Sequence, residues 1–259
     1  MKQIVKNYFQ RIFNSCTKGE LVFWWILRLL MIYGILKSLI FGDEYLGSSQ
    51  PLQMAANLVG MFAYEICQML PKTSRMRYLS PRFQNITALG FFLGSFGGAF
   101  LNFYYIIPGY DKLLHALGAA EAAYIGYEYV AATQLKLKKT CPHQIATLSA
   151  LGFSFIISSA WELFEFTYDQ FFGGDAQHWN YQNALAAAGN DPDKIFHLFP
   201  VDNLMRFALM DTMGDIILNF IGAFIMYIIL CFVPYRHRGK GDVNRIIQNE
   251  IDSQKTSVN

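Results

Sequence analysis

The sequence predicts an all-α integral membrane protein, a polytopic transmembrane bundle of about six helices. Hydrophobic residues make up 53% of the 259-residue chain and charged residues only 15%, whereas soluble domains average about 25% charged residues. The apolar residues come in runs of roughly 20, the length of helix that crosses a bilayer core. Each run is expected to be helical, because a backbone in lipid must satisfy its own hydrogen bonds. The net charge of +2 is too small to indicate nucleic acid as a partner, and the expected partners are membrane lipids.

The apolar runs predict one membrane domain between two polar ends. Residues 1–19 are basic and interrupted by polar side chains, which indicates an interfacial cytoplasmic helix rather than a cleaved signal peptide. Residues 20–233 form the predicted six-helix domain, with an extracytoplasmic loop at 169–203. Residues 234–259 form a polar cytoplasmic tail that we expect to be mobile. The six predicted spans are 20–41, 52–70, 83–107, 111–132, 145–168 and 204–233.

The distribution of Lys and Arg predicts the orientation, because short cytoplasmic loops of membrane proteins carry an excess of these residues. Most of them lie in the N-terminal segment, in the loops after the second and fourth spans, and in the C-terminal tail. Both termini are therefore predicted to be cytoplasmic, in a multi-pass protein of the cell (inner or plasma) membrane. The basic loop residues are Lys72, Arg75, Arg77 and Arg82 after the second span, and Lys136, Lys138 and Lys139 after the fourth.

Three of the spans carry polar side chains at helical spacing on otherwise apolar helices. Ionisable groups inside a membrane are costly and usually face a protein interior or a wet cavity. On each span the polar residues share one face, because residues three and four apart are neighbours on a helix. These stripes are Asp111 and His115 on the fourth span, Ser154, Ser158, Glu162, Glu165 and Asp169 on the fifth, and Asp211, Asp215 and Asn219 on the sixth.

Together the three stripes predict one shared site near the extracytoplasmic face. The fourth and sixth spans begin on that side and the fifth ends there, so their stripes lie at similar depth. Five carboxylates would repel one another in a poorly solvated site, and they need a bound cation, shared protons or basic partners to coexist. We therefore predict an outward-facing acidic/His cavity. Its carboxylates are Asp111, Glu162, Glu165, Asp211 and Asp215.

Structural roles stay open for the same residues. Asp111 alone fits a helix N-cap at the water interface, and Glu165 with Asp169 fits a solvated helix end. A lone His115 is more often a hydrogen-bonded core residue than a ligand. Polar side chains can also join helices within a membrane, and this alternative applies to Glu162, Asp211, Asp215 and Asn219.

Further charged residues in the spans receive no catalytic role. Arg28 is expected either to extend its charge to the interface or to pair with an internal acid. Glu128 is expected to pair with Lys136 or with a basic residue of a loop, and a similar pairing is expected of Glu65. Glu121 and Glu128 lie on a different face of the fourth span from that of the predicted site.

These motifs resemble those of the YjdF-like family of uncharacterised inner-membrane proteins, over roughly residues 85–230. The shared pieces are the run from Asp111 to His115, then Trp161-Glu162-x2-Glu165, then Asp211-Thr212-x2-Asp215 with Asn219 and Gly222. Their order is more distantly similar to that of VanZ-like membrane proteins. A departure lies at Met210 and Met213, where the resemblance implies Trp before the Asp and Gln after the Thr. The resemblance implies the membrane fold and the place of the site, and it implies no reaction.

The first functional hypothesis is a metal-dependent membrane enzyme. Oxygen-rich ligands suit Mg²⁺ or Mn²⁺, and a His ligand leaves Zn²⁺ open. The cation would orient a lipid-linked phosphate or polarise a scissile bond, with Asp211 or His115 as general base. Asp111, Asp169 and Asn219 would support the site. The predicted metal ligands are His115, Glu162, Glu165 and Asp215.

Two alternatives come from different functional classes. The same carboxylates could bind protons or cations in turn, as in a proton- or cation-coupled transporter. The protein could also be a non-catalytic binder of an envelope lipid or antibiotic, by analogy with VanZ-like proteins. No broken helix pair of the transporter kind is evident in the sequence, which favours an enzyme or a binder.

The predicted orientation can be tested by accessibility to a membrane-impermeant thiol reagent in intact cells. Cysteines placed at Ser48 and Gly189 should react, because both positions fall in predicted outer loops. Cysteines at Ser74 and Lys138 should not react. Labelling of Ser74→Cys but not of Gly189→Cys would reverse the orientation and place the site on the cytoplasmic side.

Overall fold

The computed structural model is almost entirely helical, as predicted. It describes residues 2–41, 50–172, 177, 181–195, 198, 206–233, 236–237 and 241–256. Large parts of the predicted loop at 169–203 lie outside these residues, so the loop as a whole stays a prediction. The α-helices are α1 Lys2–Ser15, α2 Lys18–Phe41, α3 Gln50–Gly60, α4 Ala63–Met69, α5 Pro81–Phe92, α6 Phe103–Ile106, α7 Tyr110–Leu137, α8 His143–Phe172, α9 Tyr181–Ala187, α10 Phe207–Phe232 and α11 Val243–Thr256.

Shorter elements connect these helices. A π-helix continues α5 over Leu93–Phe100, and 3₁₀ turns occur at Met76–Tyr78 and Pro192–Lys194. Two short strands, β1 Arg236–His237 and β2 Gly241–Asp242, pair antiparallel before α11.

Three helices in the described ranges are long and apolar enough to cross a membrane. They are Lys18–Phe41, His143–Phe171 and Phe207–Phe232, which correspond to the first, fifth and sixth predicted spans. The fourth predicted span is α7, a continuous helix of 28 residues that carries several charged side chains. The chain is therefore a helical membrane protein, and the count of six spans stays a prediction.

The second and third predicted spans are not continuous helices, so the expectation of unbroken spans is wrong. The second is divided into α3 and α4, with the break at Met61 and Phe62. The third passes from α5 into the π-helix and ends in the short α6. Apolar runs predict that a segment enters the membrane, but a break depends on partners elsewhere in the fold.

A buried arginine donates hydrogen bonds to the backbone carbonyl that is freed at the break between α3 and α4. Arg28 on α2 is 1% exposed, and its Nε and Nη2 donate to the carbonyl of Met61 at 3.1 and 2.5 Å. Nη2 also donates to Glu65 Oε1 at 2.6 Å, so of the two alternatives for Arg28 the structure shows the pairing with an internal acid. Gln84 donates to the same carbonyl and accepts from the N–H of Tyr64 at 2.7 Å. Backbone groups freed inside an apolar layer need such partners.

Glycines and two tyrosines shape the π-helix. Tyr104 donates to the carbonyl of Gly94 at 3.3 Å, and Tyr110 donates to that of Leu93 at 3.0 Å. A Cβ on Gly97 would lie 2.6 Å from the Tyr110 hydroxyl, and one on Gly98 would meet the Tyr104 ring. The π-helix therefore depends on Gly97 and Gly98, which leave room for the two tyrosine rings, and on the tyrosine hydroxyls that donate to its carbonyls.

The centre of the fold is α7, which packs against α10 and α8. Gly222 on α10 lies against the backbone of Ala116, where any Cβ would collide with the Ala116 carbonyl. Gly126 on α7 similarly makes room for Phe153 of α8, because a Cβ there would lie 2.7 Å from the Phe153 Cβ. Small residues allow such close approach where no hydrophobic effect drives helices together.

The C-terminal tail differs from the expected mobile segment. Its residues Val243–Thr256 form α11, whose Val243 and Ile247 are 3% and 2% exposed. These two side chains are four residues apart and therefore share one face of the helix. They pack with Tyr127 of α7 and Ala146 of α8. A short apolar face on a polar helix is enough to dock the tail.

Replacing Arg28 with Met should strongly destabilise the protein. The substitution leaves Glu65 without its partner and removes two hydrogen bonds from the Met61 carbonyl. Breaking a buried ion pair typically costs about 3–5 kcal/mol. Thermal unfolding in detergent measures the effect. Lys37→Met on the same helix is the control, since Lys37 is exposed and its loss should cost less than about 1 kcal/mol. Equal melting temperatures for the two variants would contradict this role of Arg28.

Candidate functional site

A buried lysine at the start of α7 organises the acidic cluster. The helix begins after Gly109, whose φ of 74° is a left-handed conformation that glycine adopts without steric cost. Lys112 is 5% exposed, and its Nζ lies 2.6 Å from Asp211 Oδ1 and 2.8 and 2.9 Å from the two oxygens of Asp215. Asp111 Oδ2 is 3.2 Å away. The carboxylates could coexist through a bound cation, shared protons or a basic partner. For Asp111, Asp211 and Asp215 the structure provides the basic partner, Lys112.

His115 stands between the lysine cluster and a second pair of acids. Its Nε2 lies 3.6 Å from Asp215 Oδ1 and 3.7 Å from Asp111 Oδ1, while Nδ1 lies 3.7 Å from Glu162 Oε1. These separations are too long for direct hydrogen bonds. Both ring nitrogens of His115 therefore face carboxylates at a distance that a bound metal ion between the two atoms would bridge.

The second acidic pair comes from α8. Glu162 is 7% exposed and accepts a hydrogen bond from Asn219 Nδ2 at 3.3 Å through Oε1. Its Oε2 is buried and has no hydrogen-bond partner among the residues that the structure describes. Glu165 accepts from Trp161 Nε1 at 2.7 Å. No Lys or Arg in the described ranges forms an ion pair with either glutamate.

Two overlapping groups have the spacing of metal ligands. One ligand atom each from His115, Glu162 and Glu165 lie within 4.8 Å of one another, and the same holds for Asp111, His115 and Asp215. A small hard cation bound at about 2.1 Å holds opposed ligands about 4.2 Å apart. Both groups therefore fit such a cation after small side-chain rotations. The first group fits better, because both oxygens of Asp215 already accept from Lys112.

The structure brings nearly all of the predicted site residues together. The clustered residues are Asp111, His115, Glu162, Glu165, Asp211, Asp215 and Asn219. Asp169, which was predicted to support the site, lies farther along α8 and accepts from the N–H of Gln177 at 2.9 Å. The amide of Gln177 donates to Thr212 Oγ1 at 3.2 Å and so links this end of α8 to α10. The catalytic and metal-binding roles stay predictions.

A cavity of about 290 Å³ adjoins the cluster. It lies along α7, between α8 on one side and α3, α5 and the π-helix on the other. Asp111, His115 and Glu165 line it at the cluster, and Glu121 lines it farther along α7. Its walls are otherwise mostly apolar, and no Lys or Arg is among the described residues that line it. The lining also includes Asn57, Phe91, Ser95, Tyr104, Leu117, Gly118, Ile157, Ser158 and Trp161.

Sequence reasoning missed two members of the site. The polar stripes assign no role to Lys112, although it is the only Lys or Arg between residues 111 and 132, and a lone cation among acidic stripes is a usable signal. Helical spacing places Glu121 on a different face of α7 from His115 and so predicts no part for it in the site. The cavity is wide enough to cover both faces. Helical periodicity places a residue on a face, but it does not predict how much of that face a cavity exposes.

Glu128 does not form the predicted pair with Lys136. It is fully buried, and its Oε1 accepts from Ser80 Oγ and from the Tyr124 hydroxyl, each at 2.9 Å. Lys136 instead donates to the carbonyl of Lys72 at 3.0 Å. The hydroxyl groups of Ser80 and Tyr124 therefore take the place of the basic side chain expected beside Glu128.

Fold and site together define a helical membrane protein with an acidic/His cluster inside its bundle. The chain belongs to the family described as predicted membrane protein (DUF2238), whose model matches residues 22–236. This agrees with the resemblance to YjdF-like proteins at the level of a membrane-protein family. No curated protein and no solved structure matches the chain.

Removing the Lys112 charge should destabilise the protein, and removing a partner charge should restore part of the loss. Lys112→Met leaves Asp211 and Asp215 buried together without the Lys112 ammonium, and breaking a buried ion pair typically costs about 3–5 kcal/mol. Adding Asp215→Asn should recover stability, because one of the two repelling charges is gone. Thermal unfolding in detergent measures both variants.

Lys138→Met is the control for the Lys112 variants. Its side chain is 63% exposed and lies 3.5 Å from Glu250, so the loss should be below about 1 kcal/mol. A Lys112→Met protein as stable as this control, or no recovery in the double variant, would contradict the role of Lys112 as the shared counterion.

Proposed function

We propose that the protein is a metal-dependent membrane enzyme that acts on a lipid-linked phosphate from the extracytoplasmic side of the cell membrane. The divalent cation would be Mg²⁺ or Mn²⁺, with Zn²⁺ as a further candidate. One observation carries the proposal: His115, Glu162 and Glu165 offer ligand atoms within 4.8 Å of one another beside the cavity.

Charge balance supports this ligand set. Lys112 already pairs with Asp211 and Asp215, whereas Glu162 and Glu165 have no Lys or Arg partner in the described part of the chain. Two carboxylates and a neutral imidazole would neutralise one divalent cation. The buried Oε2 of Glu162 would gain the partner that it lacks. Asp215, a predicted ligand, would instead hold Lys112 and face His115.

The cavity limits how a phosphate could be held. Because the described lining contains no Lys or Arg, a phosphate would have to bind through the cation. The cation would supply Lewis-acid stabilisation of the phosphate charge. Asp211, one of the two predicted bases, does not line the cavity, and His115 would be a ligand. Asp111 lines the cavity beside His115 and is the carboxylate placed to accept a proton from an attacking water.

A proton- or cation-coupled transporter is the second candidate. It is favoured by the broken second and third spans, whose α3, α5 and π-helix form one wall of the cavity. Interrupted helices around a binding site are typical of secondary transporters. In that case, Glu162 and Glu165 would bind protons or cations in turn. A non-catalytic lipid or antibiotic binder would use the same cavity without turnover.

Thermal unfolding with and without metals tests the proposed cation. Mg²⁺, Mn²⁺ or Zn²⁺ should stabilise the purified wild-type protein, by about 2.7 kcal/mol at a hundredfold excess over the dissociation constant. A chelator should reverse the effect. Glu162→Gln and Glu165→Gln should each abolish the response while leaving the protein folded. Glu250→Gln, on the surface of α11, should respond as the wild type does.

The opposite pattern would favour shared protons. If no divalent metal and no chelator changes the melting temperature, and both amide variants are more stable than the wild type, the metal site is wrong. If metals bind but the loaded protein releases no phosphate from lipid-linked phosphates, the proposed enzyme is wrong, and a cation-coupled transporter or a binder remains.

A further inference from the structure

Glu121 is a cavity-lining carboxylate that the proposed metal site does not use. It lies on α7 and contacts α5 at Gly90, where an added Cβ would meet its carboxylate. Among the residues that the structure describes, none donates a hydrogen bond to Glu121 and none forms an ion pair with it. An ionisable group within a membrane-spanning segment, facing a cavity, is a candidate for ligand binding.

The surroundings of Glu121 indicate the chemistry of its partner. Of the residues that the structure describes, no Lys or Arg lines the cavity, so the charge of the described lining favours a cation. Mg²⁺ or Ca²⁺ held by a single carboxylate needs several waters as further ligands, and the apolar surroundings of Leu117, Gly118 and Phe91 offer those waters few hydrogen-bond partners. An organic ammonium needs only one carboxylate, and aromatic rings stabilise it further. Phe91, Tyr104 and Trp161 all line the cavity.

The shape of the cavity indicates an amphiphile from the membrane. Ile157 and Trp161 of α8 line the cavity. The neighbouring Ile156 and Phe164 are 67% and 55% exposed and are not part of the lining, so this wall of the cavity adjoins the exposed outer surface of α8. A volume of about 290 Å³ far exceeds that of an inorganic ion and admits a headgroup or a short length of acyl chain.

We infer that Glu121 is the counterion for a primary ammonium group on a membrane-dissolved amphiphile that binds in this cavity. The inference deepens the proposed function and rests on it, because it adds an amine to the phosphate of the proposed substrate. His115 and Glu121 are six residues apart, about 9 Å along the helix axis. The substrate would place its phosphate near His115 and its amine near Glu121.

Binding of a long-chain amine to the purified full-length protein tests this site without metal. Dodecylamine and dodecanol, which share one chain, are compared in a chelator-containing nonionic detergent by native mass spectrometry. The wild type should bind the amine more tightly than the alcohol. Glu121→Gln should weaken amine binding about 10- to 100-fold, as expected for a hydrogen bond to a charged group, and should leave alcohol binding unchanged.

Matched variants separate charge from position. Gly90→Ala keeps the Glu121 charge but pushes its carboxylate away, so amine binding should fall. Gly152→Ala is its control, because a Cβ there meets nothing within 4 Å. Glu128→Gln, on the same helix but outside the cavity lining, controls for loss of a buried acid. Folding of each variant is verified by its melting temperature.

Each outcome decides between the two sites. Equal binding of amine and alcohol by the wild type, displacement of the amine by Na⁺, or unchanged amine binding in Glu121→Gln would overturn the inference. Amine binding that persists in Glu162→Gln, together with a metal response that persists in Glu121→Gln, is the expected pattern. If the wild-type protein binds the amine through Glu121 but shows no metal response, the proposed enzyme and the placement of a phosphate near His115 are wrong. Ammonium binding at Glu121 would then be the part of the inference that is kept.

Discussion

The site depends on one ion-pair cluster, the Lys112 ammonium between Asp211 and Asp215. The contacts of 2.6–2.9 Å join the first turn of α7 to α10. Without this cation, two carboxylates of α10 would face each other in a poorly solvated interior. With it, Asp215 is fixed beside His115, and Glu162 and Glu165 are left as the acids with no Lys or Arg partner in the described chain. The lysine therefore decides which carboxylates are available to a ligand.

A second buried cation supports the opposite wall. Arg28 satisfies the carbonyl at the α3–α4 break, and the π-helix obtains its donors from Tyr104 and Tyr110. The π-helix lines the cavity, and so does α3, which ends at the break. Neither irregular segment could persist in an apolar layer without such donors. The protein thus uses one basic side chain to hold the acidic wall together and another to allow a broken helix opposite it.

Helical periodicity predicted much of the site, because residues three and four apart must share a helix face. It placed Asp111 with His115, Glu162 with Glu165, and Asp211 with Asp215, and the structure brings all six together. Lys112 was not predicted as their partner, because its neighbours come from α10, about a hundred residues away. The α3–α4 break depends on Arg28 and Gln84, and docking of α11 depends on Tyr127 and Ala146. These are contacts between distant segments, which local spacing does not encode.

The contact between Gly222 and the backbone of Ala116 sets the distance between α7 and α10. A Cβ at position 222 would collide with the Ala116 carbonyl oxygen, so no residue with a side chain fits there unless the two helices separate. Lys112 lies one turn before Ala116 on α7, and the aspartates it holds lie on the same helix as Gly222. Separating the helices would therefore draw the ammonium away from both carboxylates, which makes the absence of one methyl group a requirement of the ion-pair cluster.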